Sequence, residues 1–225
     1  MKKKSASILW TGGKDSCLAL YEAHLANYRV VNLVTLAPPN PDFLAHPIPF
    51  MKLQSEALQI PHVVIEITPP YKENYIKAFT CLKEKFLIDT LITGDIDQVA
   101  GHPNLSKECA EETNLEMFQP LWKKDRKEIM NKFLEYKFQW MFSLVKIPYF
   151  TAEWVGRTFT EAAYTALLEL KKNRNIDICG ENGEYHTLVL DTDLFRKKIS
   201  IDEFVITGKQ DMHYIDIKKM SLRDK

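Results

Sequence analysis

The chain predicts an α/β fold: a Rossmann-like parallel sheet followed by a second, smaller α+β lobe. Three observations predict it. Short β-branched runs alternate with helical periodicities through the first half, a glycine turn follows the first run, and after Pro120 the pattern opens into more strand-like segments. Strand–helix alternation implies parallel strands joined by right-handed crossovers.

The elements follow in order. Ile8-Leu9-Trp10 closes a short apolar strand, and Cys17 to Ala23 begins a helix over about 17–27. Residues 29–36, 62–67 and 89–94 are β-branched runs suited to buried parallel strands. Helical spacing predicts helices over 48–58 and 72–87, a further helix from Asn104 to Asn114, and a short strand at Glu116-Met117-Phe118. Beyond Pro120, Asp125 is placed to cap a helix ending near Glu135, 138–145 reads as a buried strand, and 160–172 as a helix. Ile176 to Cys179, Leu188 to Leu190 and the alternating segments 197–206 and 212–219 read as strands. The expected division is 1–120 for the first lobe and 121–225 for the second.

Composition narrows the function classes. With 225 residues and 45% hydrophobic content, the chain can bury a full core. Lys plus Arg equals Asp plus Glu at 30 each, which weighs against a general electrostatic nucleic-acid binder. Met1-Lys2-Lys3-Lys4 is basic, but the apolar run behind it is too short for a signal peptide, and no segment approaches the ~20 apolar residues of a membrane span. Cys17, Cys81, Cys109 and Cys179 form no C-x-x-C pair, as expected for reduced thiols in a cytoplasmic protein.

Two segments concentrate chemistry. Thr11-Gly12-Gly13-Lys14-Asp15-Ser16 falls between strand and helix, outside the carboxyl end of the first strand, where open α/β sheets bind ligands. Two glycines expose backbone N–H groups, the helix adds its positive end, Lys14 supplies a mobile cation, and Thr11 and Ser16 supply hydroxyls. This is a phosphate cradle, though without Walker A spacing. Gly180-Glu181-Asn182-Gly183-Glu184-Tyr185-His186-Thr187 lies between two expected strands. Glu181 and Glu184 could hold Mg²⁺ or counter a substrate cation, and His186 could carry a proton; a solvated loop is the alternative. The proline-rich stretch from Ala37 to Asp42 reads as a rigid connection or as a flap over a ligand.

The first motif resembles the S-G-G-K-D-S pyrophosphate loop of the ATP pyrophosphatases, with Thr11 for serine. Together with the Gly180–Tyr185 block, Gly94-Asp95, Pro120-Leu121-Trp122 followed by Asp125, and Trp154-Val155-Gly156-Arg157, it resembles the diphthine–ammonia ligase family from about Ser5 to Phe195. The resemblance implies a nucleotide-binding first lobe of the adenine nucleotide alpha-hydrolase type and a substrate-binding second lobe. It implies ATP and Mg²⁺, with ATP split between its α and β phosphates. An acceptor carboxylate, on a protein side chain or a small molecule, is adenylated and then amidated by ammonia; in the family the acceptor is diphthine on elongation factor 2. A homodimer is an admissible assembly, and no membrane is involved.

By the same resemblance, Lys14 and Asp15 serve catalysis, and Thr11, Gly12, Gly13, Ser16, Thr35, Gly94 and Asp95 hold the nucleotide. His46 is a candidate for covering the acceptor. Trp122, Trp154 or Tyr185 could stack on an acceptor cation, although each tryptophan could equally pack in the core. Arg157 could bind a carboxylate or pair with a neighbour, and Glu181 could counter a substrate cation. Glu184 or His186 accepts the proton of ammonia, and Asp15 and Glu181 are the metal candidates. Departures fall mainly in the acceptor region. Asn182 stands where glycine is usual and His186 where glutamate is usual, Lys123-Lys124 replaces Gly-Arg, and Gln98 to Pro103 lacks the tyrosine and arginines often found there. These departures resemble bacterial members of the family, and bacteria do not make diphthamide, so the acceptor stays open. Two other readings stand beside this one: a pyrophosphate-loop enzyme acting on a small metabolite or tRNA, and a nucleotide-binding protein without turnover.

Overall fold

The computed structural model describes residues 3–98 and 104–225. Met1 and Lys2 of the basic start, and residues 99–103 of the departing segment after Asp95, lie outside the described residues. The elements run β1 (Ser5–Leu9), α1 (Lys14–Leu25), β2 (Arg29–Ala37), α2 (Ile48–Leu58), β3 (His62–Glu66), α3 (Tyr71–Phe86), β4 (Thr90–Ile92), α4 (Leu105–Glu112) and β5 (Glu116–Phe118). They continue with α5 (Arg126–Glu135), β6 (Gln139–Lys146), α6 (Glu161–Arg174), β7 (Tyr185–Asp191), β8 (Lys198–Lys209) and β9 (Met212–Arg223). No helix among the described residues is long and apolar enough to cross a membrane.

Two compact units form. The first takes the chain up to Thr11, Asp15–Asp42 and Ile60–Trp122; the second takes Gly12–Lys14, Phe43–Gln59 and Lys123–Lys225.

The first unit carries a five-stranded parallel sheet in the order β3-β2-β1-β4-β5. The chain winds outward from β1 to one side and from β4 to the other, so the topological switch falls between their carboxyl ends. The central strands are buried on both faces, and Val34, Leu91, Phe79, Leu82, Cys109 and Ala110 share one apolar cluster with α3 and α4. Burying a side chain such as Phe79 contributes about 2–3 kcal/mol. Asn104 caps α4 by accepting from the Lys107 N–H at 3.0 Å.

The second unit carries an antiparallel sheet in the order β7-β6-β9-β8. Asp125 caps α5 through the N–H groups of Lys127 and Glu128 at 2.8 and 3.1 Å, and Thr160 caps α6 through Ala163. Aromatic rings fill this core: Trp140 stacks on Phe159 with centroids 4.3 Å apart, and Phe133 and Phe142 meet Trp140 edge-on.

One expected strand is absent. Residues 176–179 form a turn, not a strand, because Asp177 captures its own backbone. Its Oδ1 accepts from the Cys179 N–H at 2.7 Å, and its carbonyl accepts from the Gly180 N–H at 2.9 Å. Local side-chain bonds of this type compete with ladder pairing. The last two strands also run longer than alternation suggested, pairing from Lys198↔Arg223 to Lys209↔Met212.

Candidate active site

Gly12 has φ +75°, a left-handed conformation that favours glycine. A Cβ there would also lie 2.4 Å from Gln54 Oε1. Gln54, fully buried on α2, donates from Nε2 to the carbonyls of Gly12 and Val189, both at 2.9 Å. The Val189 N–H also donates to the Gly12 carbonyl at 3.2 Å, and the Lys14 N–H donates to Thr187 Oγ1 at 3.0 Å. Helix α2 and strand β7 therefore set the shape of Gly12–Lys14.

In the first unit, the hydroxyls of Thr11 and Ser16 lie 3.3 Å apart. Gly94, just past β4, presses on the start of α1: a Cβ there would stand 2.6 Å from the Asp15 carbonyl and 2.7 Å from the Ser16 nitrogen. Only glycine permits that approach, which brings the end of β4 against the positive N-terminus of α1. Beside it, Asp95 Oδ2 accepts from Thr93 Oγ1 at 2.8 Å and from Asn104 Nδ2 at 2.9 Å. Thr35 donates to the Trp10 carbonyl at 2.7 Å and meets His62 Nε2 at 2.8 Å, so its hydroxyl is engaged within the sheet.

Lys14 is not the mobile cation that the sequence suggested. Its side chain is buried, its Nζ donates to the Cys179 carbonyl at 2.5 Å, and the ammonium lies 5.4 Å from the centroid of the Tyr185 ring. A buried ammonium needs such partners, because uncompensated charge in an apolar interior is costly. Tyr185, expected to stack on an acceptor cation, is 2% exposed and faces the chain's own cation instead. Its hydroxyl donates to the Ile178 carbonyl at 2.6 Å.

Glu184 is likewise committed. Oε1 accepts from the Asp177 N–H at 2.7 Å and from Asn182 Nδ2 at 3.2 Å, and Oε2 accepts from the Asn182 N–H at 3.1 Å. Both oxygens of this buried carboxylate thus clamp the 177–184 loop. Asp177 is anchored in turn by Arg126, whose Nε donates to Oδ2 at 2.8 Å. The purpose of the clamp is visible in the Cys179 carbonyl, which the loop presents to Lys14.

His46 and His186 come together, with Nε2 of the first 3.4 Å from Nδ1 of the second and rings edge to face at 5.3 Å. Burial, then His186, then Lys14 push His46 down to about 3; burial, then Lys14, then Lys146 push His186 down to about 4. Both imidazoles are therefore neutral at neutral pH.

The remaining expected residues occupy separate settings. Arg157 lies over the Trp154 ring at 4.5 Å, and that ring packs edge-on against Phe142 and Phe150. Trp122 is half-buried in the first unit, next to the fully buried Leu121. Asp15 stands in the first turn of α1, and Glu181 is half-buried on the 177–184 loop. Among the described residues, no three His, Cys, Asp or Glu side chains gather to hold a metal.

The sequence did not point to Gln54, Thr187, Asp177 or the Cys179 carbonyl. Gln54 carried a signal: it is the one amide on the buried stripe Phe50, Met51, Gln54, Ala57, Leu58 of α2. A polar group at such a position needs buried partners.

Comparison with known proteins gives the family. Residues 3–115 match the diphthamide synthase N-terminal domain and residues 125–222 the diphthamide synthase C-terminal domain. The diphthine–ammonia ligase of Homo sapiens is 23% identical over 249 residues, covering 96% of this chain and 92% of its own length. That of Danio rerio is 26% identical over 220 residues, covering 86% and 85%. A predicted subunit of tRNA methyltransferase from Methanocaldococcus jannaschii superposes with TM-score 0.47 at 16% identity, covering 84% of this chain and 98% of that one. With both domains matched in order and nearly end to end, the chain belongs to the diphthamide synthase family.

Proposed function

We propose that this chain is an ATP-dependent carbon–nitrogen ligase that adenylates an acceptor carboxylate, releases pyrophosphate, and transfers ammonia to the activated acyl group, releasing AMP. Relatives named diphthine–ammonia ligase support the ligase reading, and the shape of the Gly12–Ser16 loop carries it at the level of residues. A left-handed Gly12 locked by Gln54 and Val189 fixes the turn that leads into the backbone N–H groups at the head of α1. Those groups and the helix dipole suit the phosphoryl oxygens on which charge accumulates as pyrophosphate leaves.

In this reading the acceptor carboxylate attacks the α phosphorus, the bond to the β-phosphate bridging oxygen breaks, and pyrophosphate departs with the electron pair. Ammonia then adds to the acyl carbon, AMP leaves, and one proton is released. Lys14 adds positive charge to the phosphate loop; at ~4 Å and partial screening, such a pair is worth about 4 kcal/mol before desolvation. Asp15 fits Mg²⁺, which binds nucleotides through one or two carboxylates plus phosphate oxygens. The metal would neutralise phosphate charge. In the first unit, Thr35, Gly94 and Asp95 stand at strand ends suited to the adenosine part. In the second, Glu184 organises the loop that carries the Cys179 carbonyl, and Arg157 and Trp154 are candidates for the acceptor's remaining contacts.

The test is incubation with Mg·ATP, ammonium and a panel of carboxylates. AMP and pyrophosphate in equal amounts, dependent on a carboxylate, support the ligase; ADP and phosphate, or intact ATP throughout, overturn it.

A further inference from the structure

We propose that the His46–His186 pair is the recognition element for the acceptor's carboxylate, and that it selects acceptors carrying no fixed positive charge within a few bonds of that group. This rests on the ligase reading above and names its substrate class.

Hydrogen-bond accounting makes the pair a binding element. Its two rings share one contact, Nε2 of His46 to Nδ1 of His186 at 3.4 Å. If His186 donates in it, His46 carries its own proton on Nδ1; if His46 donates, Nε2 of His186 carries one. Either arrangement leaves an N–H at one end of the pair and a lone pair at the other. His46 Nδ1 is sealed from solvent and has no hydrogen-bond partner among the described residues, a cost that buried polar atoms rarely bear without a reason. Both residues are half-buried.

The charges around the pair decide the ligand's sign. Lys14 acts on both imidazoles and Lys146 on His186, each disfavouring a further positive charge. Lys146 reaches the same loop, where a Cβ on Gly183 would lie 3.2 Å from its Nζ. The carboxylate of Glu184, nearest in sequence, spends both oxygens on Asp177 and Asn182. Neutral rings in the field of two ammonium groups can donate to an anion, and they offer nothing to a quaternary ammonium.

The test compares two carbon-for-nitrogen isosteres, 5,5-dimethylhexanoate and γ-butyrobetaine, binding to the full chain without nucleotide. Nuclear magnetic resonance of the His46 and His186 ring signals reads binding directly. The expected result is saturable shifts with 5,5-dimethylhexanoate, at least tenfold weaker binding of the betaine, and a rise in the pH at which both rings titrate. His186→Glu should reverse the preference, and His46→Asn, which keeps the volume polar, should abolish it. Equal or tighter betaine binding by the wild type overturns the proposal, as does the absence of any ring shift with the carboxylate. Neither result touches the AMP-forming assay, which stands or falls separately.

Discussion

The side-chain amide of Gln54 donates to the carbonyls of Gly12 and Val189 at 2.9 Å each, joining the glycine turn to strand β7 through a helix that sequence alone assigns only to packing. One residue thus ties the carbonyl of the turn to strand β7. The turn's shape is a tertiary property, although its glycines are local.

Gln54→Leu should test this directly. Leucine fills similar volume but leaves the Gly12 carbonyl with the Val189 N–H alone and deprives the Val189 carbonyl of this donor. A loss of about 1–3 kcal/mol is expected in urea unfolding. ATP affinity should fall with it, because the Gly12 turn that leads into α1 loses this support. Unchanged stability and unchanged nucleotide binding would remove Gln54 from the site.

Gly12→Ala faces two separate obstacles, and a double variant can part them. The added Cβ would meet Gln54 Oε1 at 2.4 Å, and φ +75° strains any L-residue. Strain of this kind costs about 1–2 kcal/mol. Gly12→Ala in a Gln54→Ala background removes the clash but keeps the strained φ. The second substitution should therefore cost less there than in the wild type, by calorimetric midpoint. Equal costs in both backgrounds would show that the contact is immaterial.

Lys14→Met should lower acceptor-dependent AMP release by about 10³-fold, the equivalent of the ~4 kcal/mol assigned to its charge. The same change leaves the Cys179 carbonyl without the ammonium, so stability should fall by about 1–3 kcal/mol as well. Assaying well below the unfolding midpoint separates the two effects. AMP release within tenfold of wild type would sink the catalytic assignment.

How much of this was legible in the sequence depends on the range of the forces involved. Helix α2 was readable because its apolar spacing is local, and the Asp125 cap because a carboxylate before a helix acts within three residues. The strand order β3-β2-β1-β4-β5 was not, since nothing in the spacing of the runs tells which strand neighbours which. Residues 176–179 looked like a strand because Ile176, Ile178 and Cys179 are apolar, and they are buried as expected. Asp177 decided their conformation instead. Glu184 was rightly placed on a loop while Tyr185 opens β7, and the partners of both could not be read, since a side chain's use is set by what folds against it.

Glu184→Gln should act on the fold more than on chemistry. Glutamine keeps one acceptor oxygen but replaces the other with an NH₂, which faces backbone N–H donors that it cannot satisfy. Charge-assisted bonds to backbone amides contribute about 1.5–3 kcal/mol, so a destabilisation of that order is expected. Hydrogen exchange should quicken first at the amides of Asp177 and Asn182. Full protection there, with amidation lost, would mark Glu184 as a catalytic group instead.

The two histidines predict how acid unfolds the chain. Each is held neutral in the fold, near 3 for His46 and near 4 for His186, against 6.5 for both when unfolded. A depressed imidazole means that the unfolded chain binds more protons between those limits, so stability must fall as pH drops through 6.5 toward 4. Both residues are half-buried, so the slope should reach on the order of 1–2 kcal/mol per pH unit, below the ~2.7 that two full protons would give. Urea midpoints at pH 7, 6 and 5 measure it, and His46→Asn combined with His186→Asn should flatten the curve in that window. A wild-type curve already flat from pH 7 to 5, or one that rises on acidification, would mean that the rings are charged in the fold and that the pair is not the neutral element argued here.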